Sequence, residues 1–337
     1  MATLATTHPT LLDLANMLAP NGQIAGVAEI MAQENPILED MVMVEGNLAN
    51  GHLSVIRTGY ATPTWRKIYG GVQPSKGRTA AVTDTCGMLE DYGEVDVKVA
   101  DMNGNTADFM LKANRTHIEG IANELASTVF YGDEKTEEAT FTGLSPRFND
   151  LSAENAENIV DAGGTGSDNA SAWLVVWSDT TAHGIVPKGS KAGLSVQDKG
   201  QVTIENIDGQ GGRMEAYRTH YKQEIGMTVV DWNYVARVCN IDVSALTVDG
   251  TAADRANAQK DLITYMIMAS ERVKSTTRGR ACWYVSKRIR EVLRLGILEK
   301  VANNLSWESV TGKRVMTFDD VPVKRCDALM LNEARVV

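Results

Sequence analysis

Aromatic residues are scarce in this chain of 337 residues, at 6%, and there are only four cysteines. Cys86, Cys239, Cys282 and Cys326 stand singly. No pair has the close spacing of a zinc site or a dithiol redox motif, so buried free thiols are expected. No apolar run approaches the ~20 residues that span a bilayer. The first residues, Met1 to Pro9, lack the basic start and apolar core of a secretory signal. These absences exclude an integral helical membrane protein and predict a chain made and kept in a cytoplasm. Positive charge is also in deficit: 33 Lys and Arg stand against 43 Asp and Glu, for a net charge of -10 and a pI near 5.1. A surface dominated by carboxylates repels phosphate backbones, so sequence-reading nucleic-acid binding is not expected.

Catalytic signatures are missing as well. His8, His52, His117, His183 and His220 form no HExxH or His-plus-Cys pattern. His117 falls near the apolar stripe of a helix and reads as a core histidine. There is no Gly-x-Ser-x-Gly elbow, phosphate loop or kinase signature. Gly209-Gln210-Gly211-Gly212 reads as a turn, because it lacks the spacing and the following helix of a dinucleotide fingerprint. Asp319-Asp320 and Glu137-Glu138 read as solvated acidic faces, since adjacent side chains rarely converge on one cation. No catalytic residue, cofactor or metal is assigned.

What the chain does have is a long amphipathic helix beginning at Thr106 and stopping at Phe130-Tyr131-Gly132-Asp133. Met110, Ala113, Ile118, Ile121, Ala122, Leu125 and Val129 recur in steps of three and four, which places them on one stripe. Asn105 or Thr106 supplies a capping oxygen, and Gly132 a left-handed stop. At ~1.5 Å per residue this is a beam of nearly 40 Å.

Ahead of it, Thr10–Ala19 and Gly22–Gln33 read as short helices split by Pro20-Asn21-Gly22, an arm that docks elsewhere. Residues 41–101 read as extended, with strands at 41–44, 53–58, 79–84 and 95–99. The middle two flank Thr62 to Arg78, which mixes aromatics, cations, prolines and glycines with too little apolar content to bury itself. Such a hairpin, marginal alone, becomes stable on another subunit, where Trp, Tyr and Arg are favoured anchors. The other reading is a flexible surface loop.

Beyond the helix, 150–169 reads as a polar mobile loop and 172–177 as a buried strand; His183–Gly189 then turns away. Residues 217–232 and 235–241 follow as strands. A second helix runs over 254–277, and a strand over 281–285. A basic helix capped by Ser286 reaches Ala302, and strands at 315–318 and 321–331 end the chain. Helices and strands in mixed order favour α+β over a doubly wound sheet.

These parts, in this order, resemble the major capsid proteins of tailed bacteriophages, the Hong Kong 97-like fold, and within it the short-tailed-phage branch. Pro63-Thr64-Trp65-Arg66-Lys67 and Gly71-Val72-Gln73-Pro74-Ser75-Lys76 are similar to that branch's extended loop. Phe130-Tyr131-Gly132-Asp133 and Phe141-Thr142-Gly143-Leu144 resemble the end of its spine helix. Tyr221 to Gly226, Asp231-Trp232, and Asp320 to Ala328 resemble its later strands.

The resemblance implies an N-terminal arm over 1–35, and an extended loop with a peripheral domain and spine helix over 36–145. It implies an axial domain over 146–315 and C-terminal strands over 316–337 returning to the peripheral domain. It implies a virion shell protein, assembled in the host bacterial cytoplasm as hexamers and pentamers around double-stranded DNA held non-specifically. The shell would expand from a procapsid on maturation. The expected partners are other copies of the chain, a separate scaffolding protein, a portal at one vertex and a decoration protein, with no membrane. Trp65, Arg66, Lys67, Tyr69, Gln73, Lys76 and Arg78 are the expected subunit-interface residues. Three other readings stay open: an encapsulin-like compartment of the same fold; an α+β enzyme with a dispersed site, which predicts a small oligomer with one ionisable pocket; and another virion part such as a tail or portal subunit, which would favour rings over shells.

Overall fold

The computed structural model describes residues 33–102, 106–190, 192–205, 211–246, 252–299, 305–310 and 313–337. The two expected arm helices lie outside them. The chain forms two compact units, each from interleaved stretches.

The larger unit comprises Glu34–Gly87, Ala126–Ala192 and Ile225–Val337. Its central strand is β5 (Asn169–Trp177), buried along its whole length. β5 pairs antiparallel with β9 (Val235–Asp242) and with β10 (Arg280–Val285). β10 continues into β13 (Val321–Arg325), β12 (Lys313–Phe318) and β11 (Leu305–Val310). The apolar run in β5 has a physical reason. Ala170, Ala172, Leu174 and Val176 share a core with Leu262 and Met266 of α5 (Ala252–Arg272) and Ile289 and Leu293 of α6 (Lys287–Glu299). Trp173 instead meets Phe130 and Phe148, with ring centroids 6.4 and 5.9 Å away. A strand covered on both faces keeps no polar side.

From the end of β5 the sheet passes to β6 (Ala182–Val186), which pairs with β1 (Met43–Glu45) and with the last residues of β8 (Arg213–Val229). β2 (Gly51–Gly59) and β3 (Arg78–Asp96) form an antiparallel hairpin in register from Gly51↔Thr85 to Gly59↔Arg78. The one-turn helix α1 (Ile37–Asp40) places the Asp40 carboxylate fully inside, where Lys324 Nζ donates at 2.6 and 2.7 Å and the Tyr284 hydroxyl at 2.8 Å.

The smaller unit includes Met88–Leu125 and Gly193–Glu224. In it β7 (Ser195–Glu205) pairs antiparallel with β8. Val95, Val99, Ala100 and Phe109 form its core, with Met110, Ala113 and Tyr217 packed against them. His117, on the long helix α3 (Thr106–Tyr131), stacks on Tyr221 at 5.5 Å and sets Nδ1 2.6 Å from Asp91.

Several expectations need correction. The strand expected at 95–99 is the end of β3 followed by a short helix, α2 (Val97–Asp101), because the Asp96 carboxylate caps the amide of Lys98 at 2.7 Å. The loop expected over 150–169 contains β4 (Ile159–Asp161), paired parallel with β9 through buried Ile159 and Val160. His183–Gly189 does not turn away; His183 to Val186 belong to β6. The strand expected to reach residue 331 stops at Arg325. Gly132 does not adopt a positive φ. It is a glycine because a Cβ there would sit 2.5 Å from the Phe141 carbonyl oxygen as the chain folds back. Ile118 is 39% exposed and lies off the buried stripe. The four cysteines are buried and free, as expected; burial pushes the Cys239 and Cys282 thiols up to about 11 and Cys326 to about 12, which leaves them unreactive. Among the described residues no helix is long and apolar enough to cross a membrane.

Candidate subunit interface

The β2–β3 hairpin stops pairing at Gly59 and Arg78, and residues 60–77 continue outward without a strand. Contacts within the loop shape it. The amide of Gly70 donates to the Lys67 carbonyl at 2.9 Å, closing a turn in which Tyr69 takes a φ of 64°. The Ser75 hydroxyl donates to the Thr62 carbonyl at 2.9 Å and ties the two limbs. The long two-stranded hairpin expected here is therefore two-stranded only at its root.

That root is anchored. Arg147, at the end of the one-turn helix α4 (Leu144–Arg147), donates from Nη2 to Asp84 Oδ1 of β3 at 2.8 Å. The same nitrogen reaches the carbonyls of Thr142 and Met227 at 3.1 Å. Asp84 also accepts from the Thr228 hydroxyl.

Trp65, Arg66, Lys67, Tyr69, Gln73 and Lys76 all lie on the loop and Arg78 at its return, and every one is exposed. Trp65 and Tyr69 are fully exposed, at 101% and 99%. Tyr60, Ile68 and Val72 are exposed beside them; Ile68 and Val72 were passed over in choosing by charge and aromaticity, and Tyr60 because it precedes Thr62. Their signal was available: apolar residues in a segment too polar to bury itself. The charge is one-sided. From Gly46 to Thr83 the sequence holds Arg57, Arg66, Lys67, Lys76 and Arg78 and not one carboxylate, within a chain of net charge -10. A fixed root with a cationic, aromatic and exposed tip is a surface suited to a partner of opposite charge.

The sequence model of the family described as Major capsid protein GP7 matches residues 19–337. This chain belongs to that family. Among solved structures it is similar to a chain of bacteriophage Epsilon15, with 34% identity and a TM-score of 0.76, over 100% of this chain and 99% of that one. The fold is α+β of the Hong Kong 97-like kind. A chain of the bacteriophage JBD30 capsid matches at 10% identity and a TM-score of 0.48, over 90% and 93% of the two chains. The SrpI encapsulin complex of Synechococcus elongatus matches at 10% and 0.44, over 74% and 96%. A search of the curated proteins finds no match.

Proposed function

We propose that this chain is the shell subunit of a tailed-phage head and that Trp65, Arg66, Lys67, Tyr69, Gln73, Lys76 and Arg78 form the grip of each copy on a neighbour. The observation that carries this reading is the loop over 60–77. Its large side chains stand in water at the end of an anchored hairpin, in a chain of a capsid-protein family. Leaving such rings exposed forgoes roughly 25 cal/mol for each Å² that a neighbour would cover.

In this reading hexamers and pentamers close an icosahedral shell around double-stranded DNA. A separate scaffolding protein shapes the precursor, a portal occupies one vertex, and a decoration protein can clamp the outside. Assembly takes place in the host bacterial cytoplasm. Residues 36–145 and 316–337 serve as the peripheral domain and 146–315 as the axial domain. An acidic balance suits a wall that packaged DNA slides past. Expansion on maturation re-makes contacts of arm and loop while the helix and sheets stay stiff. No catalytic step is assigned to the chain.

Deletion of residues 66–77 tests the loop. The shortened subunit is expected to fold, with a native circular-dichroism spectrum, and to fail to give closed shells in negative-stain microscopy and sedimentation. Shells of normal heat resistance from the deletion would overturn the assignment.

A further inference from the structure

The root of the loop holds a pair of histidines that the shell reading leaves unused. His52 lies on β2 and His183 on β6, with ring centroids 5.8 Å apart and planes at 84°. His183 is 1% exposed, and neither of its ring nitrogens has a hydrogen-bond partner among the described residues; the same holds for His52 Nδ1. Their cross-strand partners are polar. His52 stands opposite Asp84 of β3, and His183 opposite Thr228 of β8, which donates to Asp84. Directly opposed residues point to the same face, so the four share a small polar interior.

A charge on the His183 ring finds little support there. The carboxylate of Asp84 already serves Arg147 and Thr228. The other carboxylate bearing on His183 is Asp179, exposed in the turn between β5 and β6. Burial first, and then the neighbouring His52, hold the His183 imidazole below the usual 6.5, while the Ser178 main chain, Asp179 and Asp84 pull the other way.

We propose that the His52–His183 contact is an acid-sensitive latch on the loop: with His183 neutral, the rings pack edge to face and hold β2 against β6; a proton on His183 places a charge in a desolvated interior and frees the loop root. The sign follows from linkage. A histidine whose folded pKa is depressed takes up more protons when its site opens, so opening becomes easier as pH falls through 6.5. Any consequence for assembly rests on the loop being the subunit contact; the latch itself does not.

Hydrogen exchange on the unassembled full-length chain tests it, corrected for intrinsic rates. Between pH 7.5 and pH 5.5, peptides covering 51–56 and 182–186 are expected to lose protection by up to about tenfold, while 172–177 keeps theirs. His183→Gln, which cannot charge, is expected to abolish that dependence, and His52→Gln, which removes a neighbour that disfavours the His183 charge, to weaken it. Should either variant fail to fold, the His183 ring-proton titration of the natural chain decides. A midpoint below 6.5 accompanied by exchange at β2 supports the latch. Protection independent of pH in the natural chain, or an unchanged dependence in His183→Gln, overturns it. Exchange is read without assembly, so normal shells from the loop deletion would sink the shell-contact reading and leave the latch standing.

Discussion

Glu333 shows how much one side chain can hold. Its carboxylate accepts from Arg237 Nη2 at 2.7 Å, from the Tyr131 hydroxyl at 2.6 Å and from the Ser171 hydroxyl. Arg237 in turn donates to the Phe148 carbonyl at 2.7 Å and lies over the Trp173 ring at 4.9 Å. Both ends of the ion pair are buried, and burial together with the Glu333 charge pushes the Tyr131 phenol far up. Removing one partner leaves the other charge without solvent or counter-ion. Glu333→Ala is therefore expected to destabilise the unit by about 3–5 kcal/mol, with Glu333→Gln less damaging because it keeps an acceptor; chemical denaturation of the unassembled chain measures both. Neither member was legible in the sequence. Arg237 sits in an apolar strand where it looks like a surface exception, and Glu333 lies 96 positions away. Isolated thiols were easier to read, because their burial follows from residue type alone.

At the scale of elements, α3 runs for 26 residues, as its spacing predicts. Its faces are less uniform than the periodic pattern suggests. Ile121 is 5% exposed and Leu125 4%, whereas Ile118, three residues before Ile121, is 39% exposed. Ile121→Ala is expected to cost about 2–5 kcal/mol, the usual range for truncating a buried isoleucine. Ile118→Ala should cost less than about 1 kcal/mol. Equal losses in thermal unfolding would mean that the helix is rotated from this placement.

Long helices and all-buried strands were legible because each repeats one signal many times. Strand β7 was missed for the opposite reason. Ser195-Val196-Gln197-Asp198-Lys199-Gly200-Gln201 is polar and mostly exposed, and its strand character comes from pairing with β8. β4 was too short to rise above the loop around it, and α2 depends on a single cap that reads as a strand residue in Val95-Asp96-Val97. The loop over 60–77 was legible by composition; its lack of strand pairing was not, since glycine, proline and threonine suit hairpin and open loop alike.

For the whole molecule the governing quantity is charge. Subunits of net charge -10 repel one another, while the stretch from Gly46 to Thr83 is purely cationic. Salt weakens both. The Debye length falls from about 30 Å at 0.01 M to about 8 Å at 0.15 M, which screens exposed charges and leaves apolar burial almost untouched. If the loop grips a neighbour both by charge and by aromatic burial, its two parts should separate by salt. Replacing Arg66 and Lys67 together by Glu turns attraction into repulsion, so the assembly defect is expected to be greatest at 0.01 M and to shrink at 0.15 M. Trp65→Ala removes an apolar anchor, and a central anchor worth about 2 kcal/mol raises the concentration needed for assembly about thirty-fold. That defect is expected to change little with salt. Light scattering against subunit concentration at the two ionic strengths reads both. A salt-insensitive defect in the double charge reversal would remove charge from the grip, and normal assembly of Trp65→Ala would remove the ring.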